Sequence, residues 1–155
     1  MLKWLFPLLL SLMVITSCST NDAELRWFAT ADEAIQDGIQ IEGLTKGDVL
    51  DKIEKDGETL VVYKISLPDG IGLGIASLAK AEGKFAWYRA NNPVIVQDAN
   101  QKPVSVVKTT ITTESKKSFM VHLGATKVPN QTIVTDKGVV SPTIDNSSGL
   151  FYYFE

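Results

Sequence analysis

Three hydrophobic regimes follow one another along the chain, and each predicts a different element. An apolar run over residues 5–15 stands behind a single cation, Lys3, and ends in the small polar pair Thr16-Ser17 before Cys18. A membrane-spanning helix needs roughly 20 predominantly apolar residues, so this run is short for a span and has the make-up of a cleaved export signal over residues 1–17. From Thr30 the period becomes helical. Thr30-Ala31-Asp32-Glu33 reads as a capping box, and Ala31, Ala34, Ile35, Gly38 and Ile39 form a one-sided stripe with Asp32, Glu33, Gln36 and Asp37 away from it. Gly43 is the expected stop, in the left-handed conformation that commonly ends helices. Gly38 costs a helix about 1 kcal/mol relative to alanine, so close packing against a sheet is expected there.

The period then changes to two. Residues 49–55 alternate up to Asp56-Gly57, a dipeptide that favours a type I′ hairpin, and strands are predicted at 59–66, 71–79 and 85–90 with turns at Pro68-Asp69-Gly70 and Glu82-Gly83. Gly72 and Gly74 share a strand face, which leaves room for Phe85, Trp87 or the helix to approach. Beyond Pro93 and the turn-rich 98–103 segment no helical period remains. Strands are expected at 104–113, 118–125, 132–135, 139–144 and 150–154, the last because Leu150-Phe151-Tyr152-Tyr153-Phe154 is too apolar to fray. The expected fold is therefore α+β: one amphipathic helix on a four-stranded antiparallel meander over residues 25–92, then a small all-β, sandwich-like lobe over 93–155.

Charge narrows the partners more than the fold. The formal net charge is −3, and it becomes −4 once Lys3 leaves with residues 1–17, which argues against binding nucleic acid or anionic headgroups by charge alone. The distribution is uneven. Residues 18–92 carry thirteen acids and eight bases, whereas residues 93–155 carry five acids and six bases, a shift compatible either with two lobes or with one acidic face.

Catalytic chemistry is sparsely supplied. The single histidine, His122, lies in an alternating strand and reads as an ordinary strand residue, because a base needs partners that the local sequence does not provide. Ser77-x-x-Lys80 and Ser105-x-x-Lys108 match the serine and lysine spacing of penicillin-binding enzymes. That chemistry needs a helix, and an offset of three on a strand sends the two groups to opposite faces. The glycines of 70–74 lack the spacing and the following helix of a phosphate loop. The acids do not follow calcium-loop spacing and no cysteine and histidine cluster suits zinc, so neither a metal nor a cofactor is expected. Trp87-Tyr88-Arg89 is the one polar-aromatic cluster, with Trp87 and Arg89 sharing a face, and these two are the candidate recognition residues.

Ile15-Thr16-Ser17-Cys18 behind the apolar run resembles a bacterial lipoprotein signal with its lipobox. The resemblance implies cleavage before Cys18, two or three acyl chains on that residue, and a location at the extracytoplasmic face of the cell membrane. Residues 18–24 would be a short polar tether. Together with the capped 28–35 helix start, the Lys84-Phe85-Ala86-Trp87-Tyr88-Arg89 strand and the aromatic tail, the lipobox makes the chain similar to small uncharacterised lipoproteins of Bacillus-type bacteria. That similarity assigns no enzyme activity and carries over no functional residue except Cys18. The expectation is a non-catalytic binding or scaffolding module that meets an envelope protein or ligand and no nucleic acid. An inhibitor or immunity-type lipoprotein is the first alternative, and a hydrolase with paired carboxylates the second.

Overall fold

The computed structural model describes residues 24–155; the signal segment, Cys18 and the tether up to residue 23 lie outside the described residues. Helix α1 (Ala31–Ile41) begins where the capping box places it: Thr30 Oγ1 accepts from the Glu33 amide at 3.2 Å, and the Glu33 carboxylate accepts from the Thr30 amide at 3.1 Å. It ends at Gly43, whose φ is +68°. The Leu44 amide donates to the Ile39 carbonyl at 2.8 Å and the Gly43 amide to the Gln40 carbonyl at 3.1 Å, which together satisfy the last turn.

Four strands follow as an antiparallel meander, β1 (Val49–Lys55), β2 (Glu58–Leu67), β3 (Gly70–Ala81) and β4 (Lys84–Arg89). Asp56-Gly57 and Glu82-Gly83 both place two consecutive residues at positive φ, as a type I′ turn requires. These are the four strands expected, and a fifth, β5 (Val94–Asp98), joins the same sheet from beyond residue 92. β3 is long enough to hold two neighbours end to end on one edge: its residues 76–81 pair with β4 and its residues 70–73 with β5. Between them Pro93 supplies no amide donor, and the Asn91 side chain fills the gap by accepting from the Ile75 amide at 2.8 Å.

The second sheet runs β10 (Thr143–Ile144), β11 (Leu150–Phe154), β7 (Ser118–Ala125), β6 (Val107–Thr112), all antiparallel, so the aromatic tail is an inner strand. The expected 139–144 strand is two pieces. Ser141-Pro142 breaks it, and β9 (Gly138–Val140) instead makes a separate hairpin with β8 (Ile133–Thr135).

The two sheets share a core of Leu60, Val62, Leu73, Ile75 and Val96 against Ile111, Val121, Leu123, Leu150 and Tyr152. A second buried cluster on the opposite face of the first sheet brings Ala34 of α1 together with Val61, Tyr63, Ala76, Leu78 and Trp87. β2 and β3 are thus buried on both faces, which is why they read as continuous apolar runs rather than as an alternation. Residues on either side of position 93 contribute to one inter-sheet core, and β5 belongs with the elements that precede it. The two sheets are also clasped at one end. Glu58 after the β1–β2 turn accepts from Ser115 Oγ at 2.7 Å and pairs with Lys117 at 3.2 Å, while Lys117 donates to the Asp56 carbonyl at 2.6 Å.

Candidate functional site

Trp87 and Arg89 project from β4 toward α1, and the helix end defines what each does. The Trp87 ring lies against the backbone of Gly38 and 5.8 Å from the Tyr63 ring, leaving the residue 8 % exposed. Its indole N–H donates to Glu42 Oε1 at 3.3 Å. The same carboxylate receives Arg89 in a two-pronged pair, Nε to Oε1 at 2.8 Å and Nη2 to Oε2 at 2.6 Å. Glu42 holds the Arg89 guanidinium above its ordinary pKa by this hydrogen bonding. Tyr63 sits beneath, its hydroxyl buried without a hydrogen-bond partner, and burial, with the Glu42 charge adding, pushes the phenol up. Trp87 is therefore a core residue at the site's floor, while Arg89 is half-exposed.

The cleft here has a volume of about 730 Å³, within the range of ligand-binding sites. It opens beside these residues, between Leu25, Ile41 and Glu42 on one side and Glu114 and Lys116 of the β6–β7 turn on the other, with Tyr88 and Arg89 between them. Its wall includes an open sheet edge. Phe28 pairs with Phe85 through two backbone hydrogen bonds of 2.8 and 2.9 Å, so Phe85 points its amide and carbonyl away from β3. Alternate residues of an antiparallel strand point the same way, so Trp87 and Arg89 present their backbone groups outward too. Among the described residues no strand pairs with β4 there.

Two features were not visible in local sequence. Glu42 lies 47 positions from Arg89, and only folding brings the ion pair together. Asp37, expected on the solvent side of the helix, is buried and paired with Arg26. A charged residue facing the stripe at one position breaks the amphipathic pattern without announcing its partner.

His122 is buried on the outer face of the second sheet, its Nε2 2.9 Å from Glu155 Oε1 and its ring beside Tyr153. His122 hydrogen bonding holds the Glu155 carboxyl below its usual range, and Lys108 stands 3.9 Å from the same oxygen. Lys108 also pairs with Asp136 in the β8–β9 turn, so these groups fasten that hairpin to the sheet. Ser77 is buried and Lys80 exposed, on opposite faces of β3. Ser105 precedes β6 rather than lying on a strand, and Lys108 is on it. The space over Gly74 is filled by the Tyr63 ring of β2, not by Phe85 or Trp87, so the expected close approach comes from the other neighbouring strand. Among the described residues no group of three His, Cys, Asp or Glu side chains is gathered as metal ligands would be.

The chain matches no protein-family model, no curated protein and no solved structure.

Proposed function

We propose that the chain is a lipoprotein of the extracytoplasmic membrane face, acylated at Cys18, that binds an extended segment of an envelope protein as an added strand on β4. The observation that carries this reading is the open outer edge at Trp87 and Arg89 beside the cleft. Strand addition draws affinity from main-chain hydrogen bonds and specificity from pockets for alternate side chains. Trp87 and Arg89 offer the former, and the half-buried Tyr88 with Glu114 and Lys116 offers the latter. The Glu42 pair keeps the Arg89 side chain folded toward the helix, which leaves the backbone edge clear.

The tether bears on the partner. Glu24 lines the same cleft and stands six positions after Cys18, so at about 3.4 Å per extended residue the cleft works within some 20 Å of the acyl chains. Two or more acyl chains hold a protein firmly at a bilayer, because each buried methylene contributes about 0.8 kcal/mol. The favoured partner is then a membrane-proximal segment, and an inhibitory role against an envelope enzyme would use the same edge. Paired-acid hydrolysis is disfavoured because Asp37 and Glu42, two acids of this cleft, are committed to Arg26 and Arg89.

Two measurements test the reading. Cys18→Ala is expected to move the protein from the membrane to the soluble fraction, and retention at the membrane refutes the anchor. A photo-crosslinking side chain at Tyr88, compared with one at Lys52 on β1, is expected to capture an envelope polypeptide in living cells at Tyr88 only. Equal capture at both positions, or none, refutes the edge.

A further inference from the structure

We infer that a second cavity, at the seam between the two sheets, binds a small hydroxylated anion of sugar size. The cavity, about 550 Å³, lies where β2 and β5 of the first sheet approach the chain after β7 and the β10–β11 turn of the second. That volume is within the range of small-molecule sites. It shares no lining residue with the cleft beside β4.

Its charge runs against that of the chain. Lys64 and Lys127 line it, and neither makes an ion pair among the described residues. The only acid in the lining is Asp48, whose Oδ2 accepts from the Thr45 amide at 2.8 Å and the Thr45 hydroxyl at 2.7 Å. Those hydrogen bonds hold Asp48 below the usual carboxylate range, with Lys64 contributing. A chain of formal charge −3 thus lines this cavity with two ammonium groups and one carboxylate, a net positive wall. An anion is what they would neutralise.

The hydroxyls refine the ligand class. Asp145 accepts from Ser147 Oγ at 2.7 Å, from the Ser148 amide at 3.0 Å and from Ser148 Oγ, so both serines spend their protons inside the turn. Ser148 Oγ also accepts from the Leu150 amide at 3.3 Å, so what these two lining serines retain is acceptor capacity, which calls for a ligand with hydroxyl donors. Asn100 and Gln101 can both donate and accept, while Ile71 and Leu150 supply an apolar floor for a ring. Gln97 reaches across the seam toward the Ser148 carbonyl at 3.5 Å, which ties one wall to the other. Sugar acids and sugar phosphates share this chemistry: one anionic group for the lysines and several hydroxyls for the serines and amides.

The test uses the acylated chain in a polyoxyethylene detergent, which carries no sugar headgroup, with glucuronate, glucose 6-phosphate and glucose titrated by calorimetry or ligand-observed NMR. Saturable binding of either anion, at least tenfold tighter than glucose, is expected, and which anion binds tighter distinguishes a carboxylate from a phosphate source. Lys127→Ala, an exposed position, should weaken that binding at least fivefold with an unchanged circular dichroism spectrum, and Lys64→Ala should do the same. Lys52→Ala, outside the cavity, should leave it unchanged. No saturable binding of either anion, equal binding of glucose, or undiminished binding by a folded Lys127→Ala protein overturns the inference.

Discussion

Gly38→Ala sets two well-understood effects against each other at one position. In an exposed helix interior the change favours the helix by about 1 kcal/mol, because glycine surrenders more backbone freedom than alanine. Here the added Cβ would fall less than 3.0 Å from three carbons of the Trp87 indole, where carbon atoms rest at about 3.5–4.0 Å. Either α1 lifts from the sheet or the indole turns. Turning is opposed by the Tyr63 ring at 5.8 Å and by the bond to Glu42, so the helix must move. Overpacking of this kind costs typically 1–3 kcal/mol, and relief by moving α1 also strains the Glu42–Arg89 pair at its end. At the upper end of that range, where so close an approach to the indole belongs, and less the propensity gain, a net destabilisation of about 2 kcal/mol is expected. For a domain of this size that lowers the melting midpoint by several degrees. Differential scanning calorimetry with Trp emission is the assay, and a red shift in the native spectrum should accompany the lower midpoint as the indole gains water. Gly43→Ala is the control: nothing lies within 4 Å of its Cβ, but its φ of +68° makes alanine costly, so stability should fall without a spectral shift. A Gly38→Ala protein as stable as the parent, or more so, would refute the packing argument.

Two further outcomes follow from the same geometry. Thr30→Ala removes the hydroxyl that accepts from the Glu33 amide and should cost about 1 kcal/mol in urea unfolding; an unchanged midpoint would mean the cap contributes nothing. Burial raises the Glu58 carboxyl, but the hydrogen bonds from Ser115 and Lys117 outweigh it and set the pKa below 4.5. The unfolded chain therefore takes up this proton at higher pH than the folded one, so the stabilisation is complete above pH 4.5 and is lost as pH falls through the folded value. Glu58→Gln should flatten the decline of stability between about pH 5 and 3 relative to the parent, whose other lowered carboxyls keep their own contribution. Parallel stability curves would sink that assignment.

What local sequence reveals here is whatever depends on neighbours a few residues away. Thr30 to Glu33, Gly43, Asp56-Gly57 and Glu82-Gly83 all state their conformations within a four-residue window, and each occurs where the pattern predicts. The aromatic tail declares its burial by composition, and it pairs into a sheet. Partner choice is different. Val94-Ile95-Val96 has strand-forming residues, yet it follows Pro93 and precedes a turn-rich segment, and nothing local says that β3 extends far enough to hold it. The same blindness hides Glu42 from Arg89 and Tyr63 from the gap over Gly74. Trp87 is the instructive case for the site: an aromatic beside an arginine on a strand suggests a recognition surface, whereas the residue opposite, Gly38, turns it into a buried wedge.

The positions of both candidate openings follow from one property of the fold. The first sheet is covered on both faces, so neither face is free to receive a ligand, and unused binding capacity is confined to its margins. One margin is the β4 edge, where Phe28 pairs with Phe85 and, among the described residues, no strand pairs with Trp87 or Arg89. Another is the seam beyond β5, where the polar β10–β11 turn lines one cavity with Lys64 and Lys127. Edges and seams expose backbone groups and unpaired charges that a packed face cannot, and a strand-adding peptide and a hydroxylated anion use those two resources separately. Lys127→Ala should therefore leave crosslinking at Tyr88 intact while it weakens anion binding. A loss of both would mean that the edge and the seam act as one site.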